Sequence, residues 1–155
     1  MQIRRAGEGD VPGIHKLLAE VNRIHHDGRP DLFDLGNKYT DDQLLEMFGD
    51  DSRPVFVAVD DADEVLGYAF CQHQQILGDT IRTPVKTLYV DDLCVDEPTR
   101  GMGVGRALFD HVVAYARESG CHDVTLNVWE LNPGARAFYE RMGMRPLKTC
   151  METVL

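Results

Sequence analysis

Apolar residues in the first third of the chain follow a helical spacing that glycine and proline interrupt. After a short opening strand, MQIRRA, apolar residues recur at helical intervals from an expected N-cap at Asp10: Val11, Ile14, Leu17, Leu18, Val21 and Ile24. Gly28 and Pro30 end this helix. Thr40 and Gln43 then form a capping box for a second helix, DDQLLEMFG. One strand followed by two helices is therefore predicted.

The rest of the chain predicts five strands and two more helices. The strands are PVFVAV, EVLGYAFCQHQQI, KTLYVDDLCV, DVTLNVW and a closing strand, MRPLKTCMETVL. One helix follows RGMGVG, and Asn132 with Pro133 begins the other, GARAFYERMG. The resulting order, βααβββαβαβ, predicts a single α/β domain over residues 1–155, with a mixed sheet and helices on both faces.

Charge and composition indicate a globular protein and argue against one class of partner. Hydrophobic residues make up 43% of the chain and charged residues 27%, which is the balance of a soluble globular protein. The net charge of −10 argues against nucleic-acid binding, which depends on clustered Lys and Arg. An acidic face favours a cationic substrate, although solubility alone explains the same charge.

Localisation follows from apolar runs and cysteines. No apolar run is long enough for a signal peptide or a membrane span, so we expect no membrane partner. The cysteines are widely spaced and form no CxxC pair: Cys71, Cys94, Cys121 and Cys150. Three of them lie in strand-like apolar surroundings and are interpreted as small hydrophobic residues in a reducing compartment, and a cytoplasmic location is expected.

Three alternating glycines lie at the start of the third helix, in the segment TRGMGVGRA. Helix N-termini present free backbone N–H groups, and glycines let the backbone approach a ligand closely. With Arg100 and Arg106 flanking it, this segment predicts a phosphate cradle rather than a plain turn. Neither nucleotide pattern fits, because Arg106 occupies the position where both GxxxxGK[ST] and GxGxxG require a glycine.

RGMGVG resembles the [QR]-x-x-G-x-[GA] pyrophosphate loop of the GNAT superfamily of acetyl-CoA-dependent N-acetyltransferases. LYVDDLCV is similar to that family's fourth strand, and NVWELNPGARAFYERMGM is similar to its fifth strand and the next helix. The resemblance covers nearly the whole chain. It implies a mostly antiparallel sheet in which strands four and five splay apart. It also implies an enzyme that transfers an acetyl group from acetyl-CoA to a primary amine, by direct attack in a ternary complex.

The resemblance further implies a coenzyme site. Backbone groups of Leu93, Cys94 and Val95 would hold the pantetheine arm, and one N–H among them would polarise the thioester carbonyl. Asn132 would contact the pantetheine region. The pyrophosphate would lie in the loop formed by Arg100, Gly101, Met102, Gly103, Val104, Gly105 and Arg106.

Tyr139 matches the family's general acid, seven residues after Asn132. An ordinary core aromatic would show the same helical spacing, since Tyr139 shares a stripe with Ala135, Phe138 and Met142. A buried phenol nevertheless needs a partner for its hydroxyl, and a departing thiolate is a suitable one.

The general base is not found at the position where the family often has an acid, because Asn127 occupies this fifth-strand position and an amide accepts no proton usefully. Three alternatives remain. Asp91 is the first choice and Asp92 the second, and strand alternation predicts that they face opposite sides of the sheet. Deprotonation of the amine by water alone is the third.

The segment HHDGRPDLF lies where the family's first two helices border the acceptor site. Its two adjacent histidines point in different directions on a helix and belong to no Cys/His set, so a solvated helix end is predicted and no metal is expected. Arg29, Asp31 and Phe33 would offer mixed contacts if the segment borders the substrate.

Three functions stay open from the sequence. The first is a small-molecule amine N-acetyltransferase, for which a closed acidic acceptor pocket is expected. The second is a protein acetyltransferase acting on an N-terminal amine or a lysine, for which an open groove is expected. The third is a non-catalytic acyl-CoA sensor. The acceptor, the acyl chain length and the oligomeric state are open too, with a homodimer among the arrangements that the resemblance allows.

Overall fold

The computed structural model describes residues 1–155 and contains five strands and four α-helices. The strands are β1 (Gln2–Arg5), β2 (Val55–Val59), β3 (Val65–Gln75), β4 (Lys86–Val95) and β5 (Asp123–Leu126). The helices are α1 (Val11–Gly28), α2 (Asp41–Phe48), α3 (Val104–Glu118) and α4 (Pro133–Arg141). None of these helices combines the length and the apolar content needed to cross a membrane.

The five strands form one sheet in the order β1-β2-β3-β4-β5. Every neighbouring pair is antiparallel except β4 and β5, which are parallel and joined through α3. A parallel pair needs such a crossover connection, whereas short turns suffice for antiparallel neighbours. The predicted mixed, mostly antiparallel sheet is therefore confirmed.

Helices cover both faces of this sheet, as predicted. Alternate residues of β2 point to opposite sides: Val55, Val57 and Val59 pack in the core beneath α1 and α2. Phe56 and Ala58 pack in a second core beneath α3. Because both faces are covered, every residue of β2 is buried, which is typical of a strand between two helical layers.

All three predicted N-cap residues stand at the start of their helices, and two of them make a side-chain capping bond. The Thr40 hydroxyl accepts from the Gln43 N–H at 3.2 Å, and the Gln43 side chain accepts from the Thr40 N–H at 2.8 Å. The Asn132 side chain accepts from the Ala135 N–H at 3.1 Å at the start of α4. Asp10 stands at the N-cap of α1 but makes no capping bond there. Its carboxylate is instead held by Arg4, at 2.7 and 2.9 Å, so the predicted N-cap position of Asp10 is confirmed although its side chain makes no capping bond.

The closing strand predicted for MRPLKTCMETVL is also wrong. Residues 145–155 form no strand, make no backbone hydrogen bond and are exposed throughout. The segment has the alternation of a strand, but a strand forms only where a neighbour completes its ladder of hydrogen bonds. No strand of this chain provides that neighbour.

β4 and β5 are paired over four residues only, and the end of this pairing corresponds to the splay that the resemblance implied. Their pairing runs from Thr87 opposite Asp123 to Val90 opposite Leu126 and stops there. β4 continues to Val95 while paired with β3 alone. The gap that opens beyond Val90 and Leu126 fixes the position of the candidate site.

Candidate active site

A cavity of about 620 Å³ occupies the gap between β4 and β5. We call it the inter-strand cavity. Its walls come from α1, the segment 33–38, β4, the end of β5 and α4. Of the residues singled out from the sequence, it brings together Asp91, Asp92, Leu93, Asn127, Asn132 and Tyr139. The remaining predicted coenzyme residues lie at the end of β4 and in the loop before α3.

The loop before α3 presents a row of unused backbone donors. The N–H groups of Gly101, Gly103, Val104, Gly105 and Arg106 donate to no acceptor in the chain. Gly101 and Gly103 have φ angles of +80° and +87°, and no atom lies within 4 Å of where their Cβ atoms would be. Successive free N–H groups at a helix N-terminus form an anion-binding concavity. The residues present therefore fit a pyrophosphate group.

Gly105 allows close packing between helices. A Cβ at this position would lie 3.2 Å from the Phe138 ring and 3.4 Å from the Val95 side chain. The missing side chain thus lets α3 approach α4, the helix that carries Tyr139. Only Gly101 and Gly103 are glycines with open space above the loop.

The two loop arginines differ in their surroundings. The Arg106 side chain is largely exposed, with a weak contact to Asp110 at 3.9 Å. Arg100 Nε donates to the Val95 carbonyl at 3.1 Å, and its Nη2 lies 3.9 Å from the Glu20 carboxylate. One oxygen of Glu20 is buried without a hydrogen bond, and burial raises the pKa of this carboxyl. Arg100 therefore links the loop to α1 as well as to β4.

At the end of β4, only the backbone of Cys94 is available to a ligand in the gap. The Cys94 side chain is buried in the core beneath α1, where its thiol contacts the Leu17 carbonyl at 3.8 Å. Burial raises the pKa of this thiol to about 12, so it stays protonated. Leu93, by contrast, contributes to the wall of the inter-strand cavity.

Tyr139 and Asn132 reach the inter-strand cavity from opposite ends of α4. The Tyr139 hydroxyl makes no hydrogen bond within the chain, although the ring packs against Phe138 and Phe109 at centroid distances of 5.2 and 6.4 Å. Burial raises the pKa of this phenol well above its usual value, so it is neutral and holds its proton. Such a group can donate a hydrogen bond to a ligand in the cavity.

Asp91 and Asp92 both line the inter-strand cavity, so the expectation that they face opposite sides is wrong. The cause is a β-bulge. Val90 pairs with Cys71 and Asp92 pairs with Phe70, which leaves Asp91 with no partner on β3. An inserted residue resets the alternation of a strand.

The two carboxylates have different environments. Asp91 is 32% exposed and accepts a hydrogen bond from Lys38 Nζ at 3.1 Å. Asp92 is 12% exposed, lies 4.0 Å from the same ammonium and accepts a hydrogen bond from the Tyr68 hydroxyl at 2.8 Å. Burial raises the pKa of Asp92 despite these partners, because desolvation disfavours the charged form.

An aromatic wall, which the sequence did not predict, closes the end of the inter-strand cavity beside α1. Phe33 packs edge-on against Trp129 at 5.1 Å and against the His25 ring at 4.9 Å. All three line the cavity, together with Asp34 and Lys38. The chain's only tryptophan, just after the fifth strand, was the available signal.

The prediction of a solvated helix end is wrong for His25. Its ring is half-buried in the cavity wall, and burial lowers its pKa, so the imidazole is neutral near pH 7. Arg29 and Asp31 pair with each other at 2.7 and 2.8 Å and do not line the cavity, whereas Phe33 does. No group of three or more His, Cys, Asp or Glu side chains is close enough to hold a metal ion.

The comparison with protein families agrees with this geometry. Residues 20–144, which include β4, the loop before α3 and all of α4, match the model of the acetyltransferase (GNAT) family. The chain belongs to this family. The superfamily recognised from the loop, the fourth strand and Tyr139 is thereby confirmed.

Two curated proteins that are similar to this chain have named activities. The chain is 33% identical to the streptothricin acetyltransferase of Streptomyces lavendulae, over 92% of this chain and 80% of that protein. It is 32% identical over 92 residues to the peptidyl-lysine N-acetyltransferase YjaB of Escherichia coli K12. That alignment covers 59% of this chain, and the chain spans about half the length of this relative.

A solved structure has the same fold as this chain over its whole length. The crystal structure of a mutant BH1408 protein from Bacillus halodurans superimposes with a TM-score of 0.96 at 30% identity. The superposition covers 100% of this chain and 99% of that one, so residues 145–155 are included in it.

Proposed function

We propose that the protein transfers an acetyl group from acetyl-CoA to the primary amine of a small cationic molecule, by direct attack in a ternary complex. One observation carries this proposal. The inter-strand cavity contains the free hydroxyl of Tyr139 and the carboxylates of Asp91 and Asp92 within a single space. An acyl donor and an amine that enter from its two sides would therefore meet between a proton donor and a proton acceptor.

Acetyl-CoA, when bound, supplies the activated acetyl group as a thioester. The free N–H groups of Gly101, Gly103 and the first turn of α3 would hold its pyrophosphate. The unpaired edge of β4 from Leu93 to Val95 and the Asn132 side chain would hold the pantetheine arm. A backbone N–H on that edge would polarise the thioester carbonyl, because a fixed donor stabilises the charge that develops on its oxygen.

On this proposal the amine enters the end of the inter-strand cavity that the aromatic wall closes, which is the acceptor end. The charges there favour a cationic amine. Asp34, Asp91 and Asp92 line this end, and Lys38 is the only cationic side chain among them, since His25 is neutral. Aromatic faces beside carboxylates bind cations by combined electrostatic and cation–π attraction. We infer that the acceptor carries a second positive charge besides the amine that reacts.

Proton transfer can be assigned within the inter-strand cavity. An amine must lose a proton to attack, and a carboxylate with a raised pKa accepts one near neutral pH. Asp92 fits this role, because Asp91 is paired directly with Lys38. Asp91 remains the alternative base and, on this arrangement, orients Lys38. Tyr139 donates the proton that the departing thiolate takes up.

A peptidyl lysine is the second candidate acceptor, since YjaB is named for that substrate. The two candidates separate in a comparison of kcat/KM for acetyl-CoA-dependent thiol release. The panel contains a diamine, a polyamine, an aminoglycoside, a lysine peptide and a neutral monoamine. We expect the small polycationic amines to exceed both the peptide and the neutral amine by at least about tenfold, or ~1.4 kcal/mol. A higher kcat/KM for the peptide would favour the second candidate.

A further inference from the structure

Lys38 places a primary amine of the chain itself inside the inter-strand cavity. Its Nζ lies 3.1 Å from the Asp91 carboxylate and 4.0 Å from the Asp92 carboxylate. An acceptor amine has to reach the same two carboxylates before it can lose a proton. The Lys38 ammonium therefore occupies the surroundings that the proposed function assigns to a substrate amine.

The backbone on both sides of Lys38 is held against the cavity. Before it, the Asn22 side chain donates a hydrogen bond to the Gly36 carbonyl at 3.1 Å. After it, the Tyr39 ring stacks on Phe70 at a centroid distance of 5.6 Å. These contacts fix the start of the Lys38 side chain, whereas its flexible four-carbon stem lets the ammonium move within the cavity.

A proton acceptor and a proton donor for this amine line the same space. Lys38, Asp92 and Tyr139 are all part of the cavity wall. Burial and, in addition, the charge of Asp92 raise the pKa of the Tyr139 phenol, so the field of this carboxylate extends to that hydroxyl. The Lys38 amine thus lies with both groups that acetyl transfer requires.

We propose that the chain acetylates its own Lys38 with acetyl-CoA as the donor. The step rests on the proposed function, since it uses the same donor and the same side chains. Asp92 accepts one proton from the ammonium, and the nitrogen forms a bond to the thioester carbonyl carbon. The carbon–sulfur bond breaks, and the sulfur leaves with its electron pair and takes up the Tyr139 proton. A second proton from the nitrogen restores the Tyr139 hydroxyl, and Asp92 releases its proton to solvent. Each chain forms one acetyl-lysine and one free thiol.

The other lysines of the chain provide a comparison for uncatalysed acetylation. Burial lowers the pKa of Lys38, but the carboxylates of Asp92 and Asp91 outweigh it, so the pKa is raised overall. Lys86 and Lys148 are exposed and lie outside the cavity. Without catalysis these two would react faster than Lys38, because a raised pKa leaves less of an amine deprotonated. A preference for Lys38 would therefore indicate catalysis.

The test is mass spectrometry of the protein after incubation with acetyl-CoA and no added amine, with peptide mapping of its four lysines. We expect wild type to gain an acetyl group on Lys38 at least about tenfold faster than on Lys86 or Lys148. Lys38→Arg keeps the positive charge and has no primary amine, so this gain should be lost. The rate per chain should not change on dilution, because the amine and the cavity belong to one molecule.

Two further measurements show whether the cavity performs the step. Tyr139→Phe should slow acetylation of Lys38 by about 10²-fold, so that its preference over the two exposed lysines is lost. An amine that the protein turns over should also slow it, because both amines need the same place beside Asp92.

Acetylation of Lys38 no faster than that of Lys86 and Lys148, or at a rate that Tyr139→Phe leaves unchanged, would overturn the proposal. Thiol release with the amine panel, measured on the same protein, separates this result from failure of the proposed function. Turnover of a free amine without acetylation of Lys38 would overturn self-acetylation alone. Selective acetylation of Lys38 without turnover of any amine would support self-acetylation and overturn transfer to a small molecule.

Discussion

The Tyr68 hydroxyl donates a hydrogen bond to the Asp92 carboxylate across 2.8 Å, from a position with no solvent exposure of its own. Tyr68 therefore supports Asp92 from behind, while the carboxylate lines the inter-strand cavity in front. Lys38 lies 4.0 Å away on the cavity side. This arrangement fixes the orientation of one carboxylate and leaves its neighbour Asp91 as the direct partner of the ammonium.

We expect Asp92→Asn to lower kcat/KM for an accepted amine by about 10²- to 10⁴-fold, the range of general base catalysis. Asp91→Asn, the matched control, should cost less than about tenfold, because it removes the charged partner of Lys38, and the amide oxygen can still accept from Lys38 and from the Tyr39 hydroxyl. In wild type the rate should rise with pH until Asp92 is ionised, and this limb should vanish in Asp92→Asn. Steady-state rates across pH check this. The reverse ranking of the two variants would make Asp91 the base.

Asp92→Asn should also leave the fold at least as stable as wild type near neutral pH. Burial raises the pKa of Asp92 in the folded state, so the unfolded chain releases this proton at lower pH. The contribution of Asp92 to stability is therefore present in acid and lost as pH rises through its folded pKa. An asparagine avoids this loss and still accepts from Tyr68. Thermal melts at pH 4 and pH 8 should show the variant gaining relative to wild type at the higher pH, and a relative loss there would contradict this expectation.

The loop before α3 could be predicted from the sequence, whereas the orientation of Asp91 and Asp92 could not. Because amide donors at a helix N-terminus are a local property, RGMGVG sufficed to predict an anion cradle, whereas the family was recognised from this loop together with the fourth strand and the segment around Tyr139. The bulge at Asp91 is set by the register of β3 against β4, so simple alternation predicted the wrong faces. His25 was missed because its burial depends on Phe33 and Trp129, a contact between distant segments. The closing strand was predicted from alternation alone, but no strand of the sheet pairs with residues 145–155.

Gly103→Asp should weaken coenzyme binding without unfolding the protein. No atom lies within 4 Å of the missing Cβ, and the φ of +87° is one that aspartate tolerates better than most residues. A carboxylate there would repel a pyrophosphate by about 1–4 kcal/mol at ~4 Å, equal to about fivefold or more in Kd. Gly78→Asp is the control, with a φ of +72° and equally open surroundings. Calorimetry with coenzyme A should separate the two variants, and equal affinities would place the cradle elsewhere.

Tyr139→Phe should lower kcat by about 10²-fold, near the lower end of general acid catalysis, since a thiolate leaves partly unaided. Packing against Phe138 and Phe109 is kept, because the substitution removes only the hydroxyl. The Kd for acetyl-CoA should therefore change little. Steady-state rates at saturating acetyl-CoA, with calorimetry as the control, test this. An unchanged kcat would restrict Tyr139 to packing.

The most direct test of acetyl transfer is amine-dependent release of the coenzyme thiol, measured beside the N-acetylated product by mass spectrometry. The wild-type protein is mixed with saturating acetyl-CoA and a polyamine, with the protein alone and the amine alone as blanks. Beyond one thiol per chain, we expect thiol release only in the complete mixture, with one acetylated amine formed for each of these thiols. Tight binding of acetyl-CoA with no amine-dependent release, for every amine in the panel, would contradict the proposed transfer and leave a coenzyme-binding protein without this activity.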